Sequence, residues 1–175
     1  MKIILYIIHL LYHHQEAGKT TILRDFIRQI SNGIQDINFE GITVGIVDER
    51  GEIASMYKGI PQNVVGIKTD ILDSIPKSIG MKMLIRSMAP QVIAADEIGT
   101  FDDVESINYA ICCGIKGIFT AHGNNLQDLE LNPALNKLIQ IKMFDRIVCL
   151  NSKEKGKLSN VYKLDKNSKQ YITIL

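Results

Sequence analysis

The sequence predicts a three-layer α/β domain around a mostly parallel sheet, on three observations. Stretches that read as strands alternate with stretches of helical periodicity along the chain. Several strand stretches are continuous, β-branched apolar runs, as expected of strands covered on both faces. The first of these runs leads through Gly18-Lys19-Thr20-Thr21 directly into an amphipathic helix.

The opening "MKIILYIIHLLYHH" is read as a buried strand. Its apolar core also resembles that of a signal peptide, but no small-residue cleavage site follows and the run is too short to span a bilayer. Residues 19 to 31 then place Ile22, Leu23, Phe26, Ile27 and Ile30 on one helical face, and "SNG" closes the helix. "GITVGIVDE" (41 to 49) is the next strand, and a loop rich in Gly, Pro and Asn follows at Gly59 to Asn63. A helix is expected in the later part of "SIPKSIGMKMLIRSMA", a buried strand in "PQVIAADEIG", a helix through "DDVESINYAICCG" and a strand in "GIFTAHG". After a helix near 134 to 142 comes the strand "RIVCLN", and the two β-rich runs around "KNSK" form a terminal β-hairpin.

No internal repeat, low-complexity tract or boundary interrupts this order, so residues 1–175 read as a single domain. With 46% apolar and 22% charged residues and a net charge of +1, the composition argues against disorder and against a strongly basic nucleic-acid-binding surface. Three cysteines, two of them adjacent at Cys112 and Cys113, fit neither a disulfide framework nor a zinc site, which points to a reducing cytosol. Both of these cysteines, with Met81, Met83 and Met88, have spacings that place them in the helix core. The tract "NSKEKGK" reads as a solvated loop.

Two motifs carry chemistry. The segment from Gly18 to Thr20 sits at a strand-to-helix turn, where backbone N–H groups and the helix dipole favour a phosphate. Lys19 would reach the β- and γ-phosphates of a nucleotide and Thr20 would ligate Mg²⁺. The pattern G-x-x-x-x-G-K-[ST] would put its first glycine where this chain has His13, so an ordinary turn remains a competing reading for the loop taken alone. The second motif, "VIAADE", delivers Asp96 and Glu97 at the carboxyl end of a strand, the edge at which open α/β sheets bind ligands. Asp96 would hold Mg²⁺ and Glu97 would polarise an attacking water. Both motifs on one sheet, in this order, indicate a P-loop NTPase with ATP and Mg²⁺ as cofactors.

Further strand ends fit the same edge. Asp48, Glu49 and Arg50 close one strand, and His122 follows another; a solvated loop and a turn histidine compete with catalytic roles for them. Arg50 and Arg86 are candidates for transition-state charge stabilisation across a subunit boundary, and for Arg86 a solvated helix face is the competing reading.

With these residues in hand, the chain resembles the stage III sporulation protein AA family of spore-forming Firmicutes, ATPases related to the type II and type IV secretion ATPases. "GKTTILRDFIRQIS", "VGIVDERGEIA", "MLIRSMAPQVIAADEIG" and "FTAHG" carry the resemblance, from Gly18 to about Leu150. It implies a RecA-like fold and a cytoplasmic homo-oligomer, a hexamer, on the mother-cell side. Such an ATPase would energise membrane proteins of a channel between mother cell and forespore, with no transmembrane segment of its own and no nucleic-acid partner. Gly18, Lys19, Thr20 and Thr21 match the nucleotide-binding loop, Asp96 and Glu97 the Walker B pair, Glu49 and Glu52 the acidic box, and His122 the histidine box. Gly99 stands where many secretion ATPases have arginine.

The family's N-terminal domain is expected to be absent, and "YHHQEA" replaces the usual loop opening. His13, His14 and Glu16 put bulk and negative charge where backbone must wrap a phosphate. A reading-frame shift near codons 7 to 17 is the expected origin, since codon degeneracy permits Ser-Pro-Pro-Arg-Gly in the shifted frame. Two other functions stay open: a non-catalytic docking subunit of the same complex, favoured by the altered loop, and a DNA-dependent RecA-like ATPase, disfavoured by the near-neutral charge.

Overall fold

The computed structural model describes residues 8–12 (backbone only), 18–123, 125–151, 154 and 156–175. Within them, one eight-stranded sheet runs in the order β12-β11-β10-β1-β9-β8-β4-β7. Its strands are β1 (Ile8–Tyr12), β4 (Val44–Asp48), β7 (Thr69–Asp73), β8 (Val92–Ala95), β9 (Lys116–Ala121), β10 (Arg146–Leu150), β11 (Leu158–Leu164) and β12 (Tyr171–Thr173). Two small ribbons lie outside it, β2 (Gly33–Ile34) with β3 (Phe39–Glu40), and β5 (Met56–Tyr57) with β6 (Ile60–Pro61). Helices α1 (Lys19–Asn32), α2 (Lys77–Ser87), α3 (Phe101–Cys112), α4 (Leu126–Leu131) and α5 (Pro133–Gln140) complete the fold.

The strands from β10 through β1, β9, β8 and β4 to β7 pair in parallel, whereas β11 and β12 add an antiparallel edge. The expected terminal hairpin is therefore present, and it extends the sheet beyond β10. Successive residues of a strand point to opposite faces, and the two faces bury different sets. Ile46, Ala94, Ile118 and Val148 pack with Leu23 and Ile27 of α1, while Val47, Ile93, Phe119 and Ile147 pack with Met81, Leu84, Ile107 and Leu138 of the other helices. Strands covered on both sides need apolar residues at nearly every position, which is the continuous pattern that made β4, β8 and β9 legible.

Three expectations need correction. The chain carries an edge strand, β7, that the expected element order lacks: its sequence "TDILD" sets only two apolar residues, Ile71 and Leu72, between polar ones and is half-buried, unlike the continuous runs. A separate six-residue helix, α4, precedes α5. Cys112 and Cys113 are exposed, as are Met83 and Met88, and only Met81 of that group lies in the core. The core-facing stripe of α3 runs through Val104, Ile107 and Ala110, and the helix ends before its next turn can bury either thiol.

The consequence for function is geometric. In a parallel sheet all carboxyl ends lie at one edge, so the residues that follow β4, β8 and β9 converge there, beside the end of β1.

Candidate active site

Gly18 caps α1 with φ +79°, a left-handed conformation that glycine adopts without strain and that turns the chain from β1 into the helix. The first helical residue, Lys19, is buried, and its Nζ lies 2.9 Å from Nδ1 of His122. An ammonium has only donors, so Nδ1 accepts and the proton of a neutral imidazole sits on Nε2. That nitrogen in turn lies 2.6 Å from Oε1 of Glu97 and donates to it. The Arg50 guanidinium pairs with the other Glu97 oxygen.

One residue along α1, the Thr20 hydroxyl donates to Oδ2 of Asp96 at 2.6 Å. On the neighbouring strand the buried Thr120 hydroxyl donates to Oδ1 of Asp96 and accepts the Glu97 N–H at 2.8 Å. Glu97 itself has φ +51°, uncommon for a non-glycine residue. Thr120 and the paired carboxylate hold it in that bend, which aims the side chain at His122 rather than along the strand.

The charges respond to this environment. Burial pulls the Lys19 pKa below the ordinary lysine value, opposed by the carboxylates of Glu97, Asp96 and Glu52. Burial pushes Glu97 up, but the hydrogen bond from His122, with the cations Arg50 and Lys19, outweighs it and leaves the carboxyl below its ordinary value. Glu97 is thus held as a carboxylate.

Beside this chain of contacts, a pocket is lined by Asp48, Glu49, Arg50, Glu52, Lys77, Asp96 and Glu97. Glu49 forms an ion pair with Lys77 at the start of α2. The structure therefore brings together Lys19, Thr20, Glu49, Arg50, Asp96, Glu97 and His122. Thr21 lies in the first turn of α1 with its side chain exposed. Arg86 is not brought in: it is exposed in the last turn of α2, and at about 1.5 Å rise per residue that helix carries it about 14 Å beyond Lys77. The segment from His13 to Ala17, with its altered loop opening, lies outside the described residues.

Sequence reasoning missed Thr120 and Lys77. Thr120 stands two positions before His122 in "FTAHG", inside an apolar run where a threonine is unremarkable. Lys77 belongs to a helix face that gave no signal of pairing.

The donor set suits Mg²⁺. Thr20 and Asp96 offer a hydroxyl and a carboxylate side by side, hard oxygens of the kind that hold this ion while waters and substrate phosphates fill its other positions. Among the described residues there is no group of three or more His, Cys, Asp or Glu side chains able to hold a metal by themselves. A shared site of protein and phosphate oxygens has no need of one.

Replacing Thr120 by valine preserves shape but removes the hydroxyl shared by Asp96 and Glu97. The expected result is a loss of about 0.5–1.5 kcal/mol in stability, because the Glu97 N–H and Asp96 Oδ1 each lose one partner and keep only each other, at 3.0 Å. Denaturant unfolding of the parent and Thr120→Val chains measures it.

Comparison with known proteins agrees with this geometry. Residues 7–169 match the family described as sporulation stage III, protein AA. The stage III sporulation protein AA of Bacillus subtilis (strain 168) is 42% identical over 153 residues, covering 87% of this chain and 49% of that protein. The chain thus spans about half the length of this relative. Among solved structures, the Yersinia pseudotuberculosis ATPase DotB is similar with a TM-score of 0.62 at 15% identity, over 92% of this chain and 44% of that one. The VirB11 ATPase of the Brucella suis type IV secretion system, solved with sulphate, gives a TM-score of 0.57 at 16% identity, over 89% of this chain and 47% of that one. The expected P-loop, RecA-like architecture is the fold of this chain.

Proposed function

Since the chain belongs to the sporulation stage III, protein AA family, we propose that it binds Mg-ATP at the edge formed by β1, β4, β8 and β9 and hydrolyses it as one subunit of an oligomeric motor. The observation that carries this reading is the continuous series of contacts from Lys19 through His122 to Glu97, with Thr20 on Asp96 beside it. Lys19 binds phosphate oxygens, Thr20 and Asp96 hold Mg²⁺, and Glu97 orients the attacking water and takes its proton. Mg²⁺ supplies charge neutralisation on the phosphates when bound. Glu49 and Glu52, carried by the loop after β4, face the same pocket with Arg50 and Lys77. His122 relays between the phosphate-binding lysine and the water-orienting carboxylate.

The motor acts as a hexamer at the cytoplasmic, mother-cell side of the membrane and energises membrane proteins of the channel to the forespore. Family membership and the fold shared with secretion ATPases support that reading. Among the described residues no helix is long and apolar enough to cross a membrane. Arg86, far from its own subunit's pocket, would act on a neighbour's nucleotide in this reading.

ATP turnover with and without Mg²⁺, and with and without single-stranded DNA, tests the reading. Hydrolysis that needs Mg²⁺ and ignores DNA is the expected result. Binding without turnover would make the chain a docking subunit, and strong stimulation by DNA would make it a DNA-dependent ATPase.

A further inference from the structure

We propose that Arg24 is a positioning residue for hydrolysis: its guanidinium fork ties the backbone of the acidic loop (residues 49–54) to helix α1, fixing Glu49, Arg50 and Glu52 in register with Lys19 and Thr20. The proposal rests on the ATPase reading above and adds to it a part that no motif identifies.

The loop leaves β4 at Asp48, whose side chain is only 2% exposed. Both Asp48 oxygens are taken by the loop's own backbone, from Ile53 N–H at 3.1 Å to each and from Ala54 N–H at 2.8 Å. A buried carboxylate is costly without such partners, so Asp48 serves the loop's shape although it borders the pocket. The backbone carbonyls face the other way. Arg24 Nε donates to the Ile53 carbonyl at 2.7 Å and its terminal nitrogen to the Glu52 carbonyl at 2.8 Å, while Asn63 adds a bond to Ile53 at 3.0 Å. The loop is thus held from both sides, by the end of β4 and by α1.

Arg24 lies about one helical turn past Thr20, so the group that grips the loop and the groups that would grip phosphate share one rigid element. Glu52, whose carbonyl Arg24 holds, is near enough for its charge to act on Lys19. A rigid link of this kind means that any movement of the first turn of α1 is passed to Glu49 and Arg50, and through the Arg50 ion pair to Glu97. Misplacing a catalytic group by about 1 Å costs up to about 10²-fold in rate. The fork matters more than the charge, because a lysine cannot span two consecutive carbonyls in the same plane.

The test compares Arg24→Lys, which keeps the charge, with Arg24→Ala in the full protein. Both are expected to lower kcat by about 10-fold or more while the Kd for Mg-ATP stays within about threefold. Retention of kcat in both variants, or a Kd that rises as far as kcat falls, would overturn the proposal. Backbone amide exchange gives a readout independent of turnover: Ile53 and Ala54 should lose protection in Arg24→Lys while Ile93 and Ile118 keep theirs. Unchanged protection at Ile53 and Ala54 removes the clamp. A parent protein that turns over no ATP would instead defeat the ATPase reading and the role in hydrolysis with it, leaving the clamp itself to be judged by exchange.

Discussion

Glu97→Gln is expected to bind Mg-ATP with nearly unchanged affinity and to lose about 10²–10⁴-fold in turnover, the range for removal of a general base. Glutamine keeps an oxygen that can accept from His122 Nε2, so that side of the arrangement survives. The other oxygen becomes an amide donor facing Arg50, and that pair is lost. The variant therefore loses proton acceptance and one ion pair but none of Lys19, Thr20 or Asp96. Measured as Kd and kcat separately, a loss in kcat alone supports the assigned role. Equal losses in both would make Glu97 a structural carboxylate.

Lys19→Ala carries the second large effect, a loss of ATP affinity of about 10²-fold or more. A hydrogen bond to a charged group is worth about 1.5–3 kcal/mol, and the Coulomb attraction to phosphate is lost with it. Stability is expected to move little, for opposing reasons. Burial already disfavours the charged lysine, so its removal relieves a cost, whereas Glu97, Asp96 and Glu52 lose a neighbouring cation. Isothermal titration with Mg-ATP, alongside thermal unfolding, separates the two quantities. Unchanged affinity in a folded variant would show that Lys19 does not touch the phosphates.

What could be read from the sequence follows from how each residue is used. β4, β8 and β9 are covered on both faces and so carry nearly unbroken apolar runs, and their ends present Asp48, Asp96, Glu97 and His122 as the charged or ionisable residues that close such a run. β7, at the sheet edge, has a single half-buried apolar residue on each face, Ile71 and Leu72, too short a run to distinguish it from a polar loop. Thr120 is harder still, since a strand threonine reveals nothing of a partner on the next strand until the register of β8 and β9 places it beside Asp96. Arg24 was hidden for a similar reason: on a helical wheel it is one more solvated cation, and only the path of the loop after Asp48 brings two carbonyls within its reach. Short-range pattern finds residues that terminate elements, but contacts across elements need the fold.

A single-turnover experiment, with protein in excess over γ-labelled ATP and Mg²⁺, addresses the catalytic assignment most directly. The parent protein is expected to release its bound γ-phosphate completely, while Glu97→Gln fills with nucleotide and retains it as ATP over the same interval. Parent protein that binds ATP and leaves it intact, or a Glu97→Gln variant that releases phosphate at the parent's rate, would contradict the account.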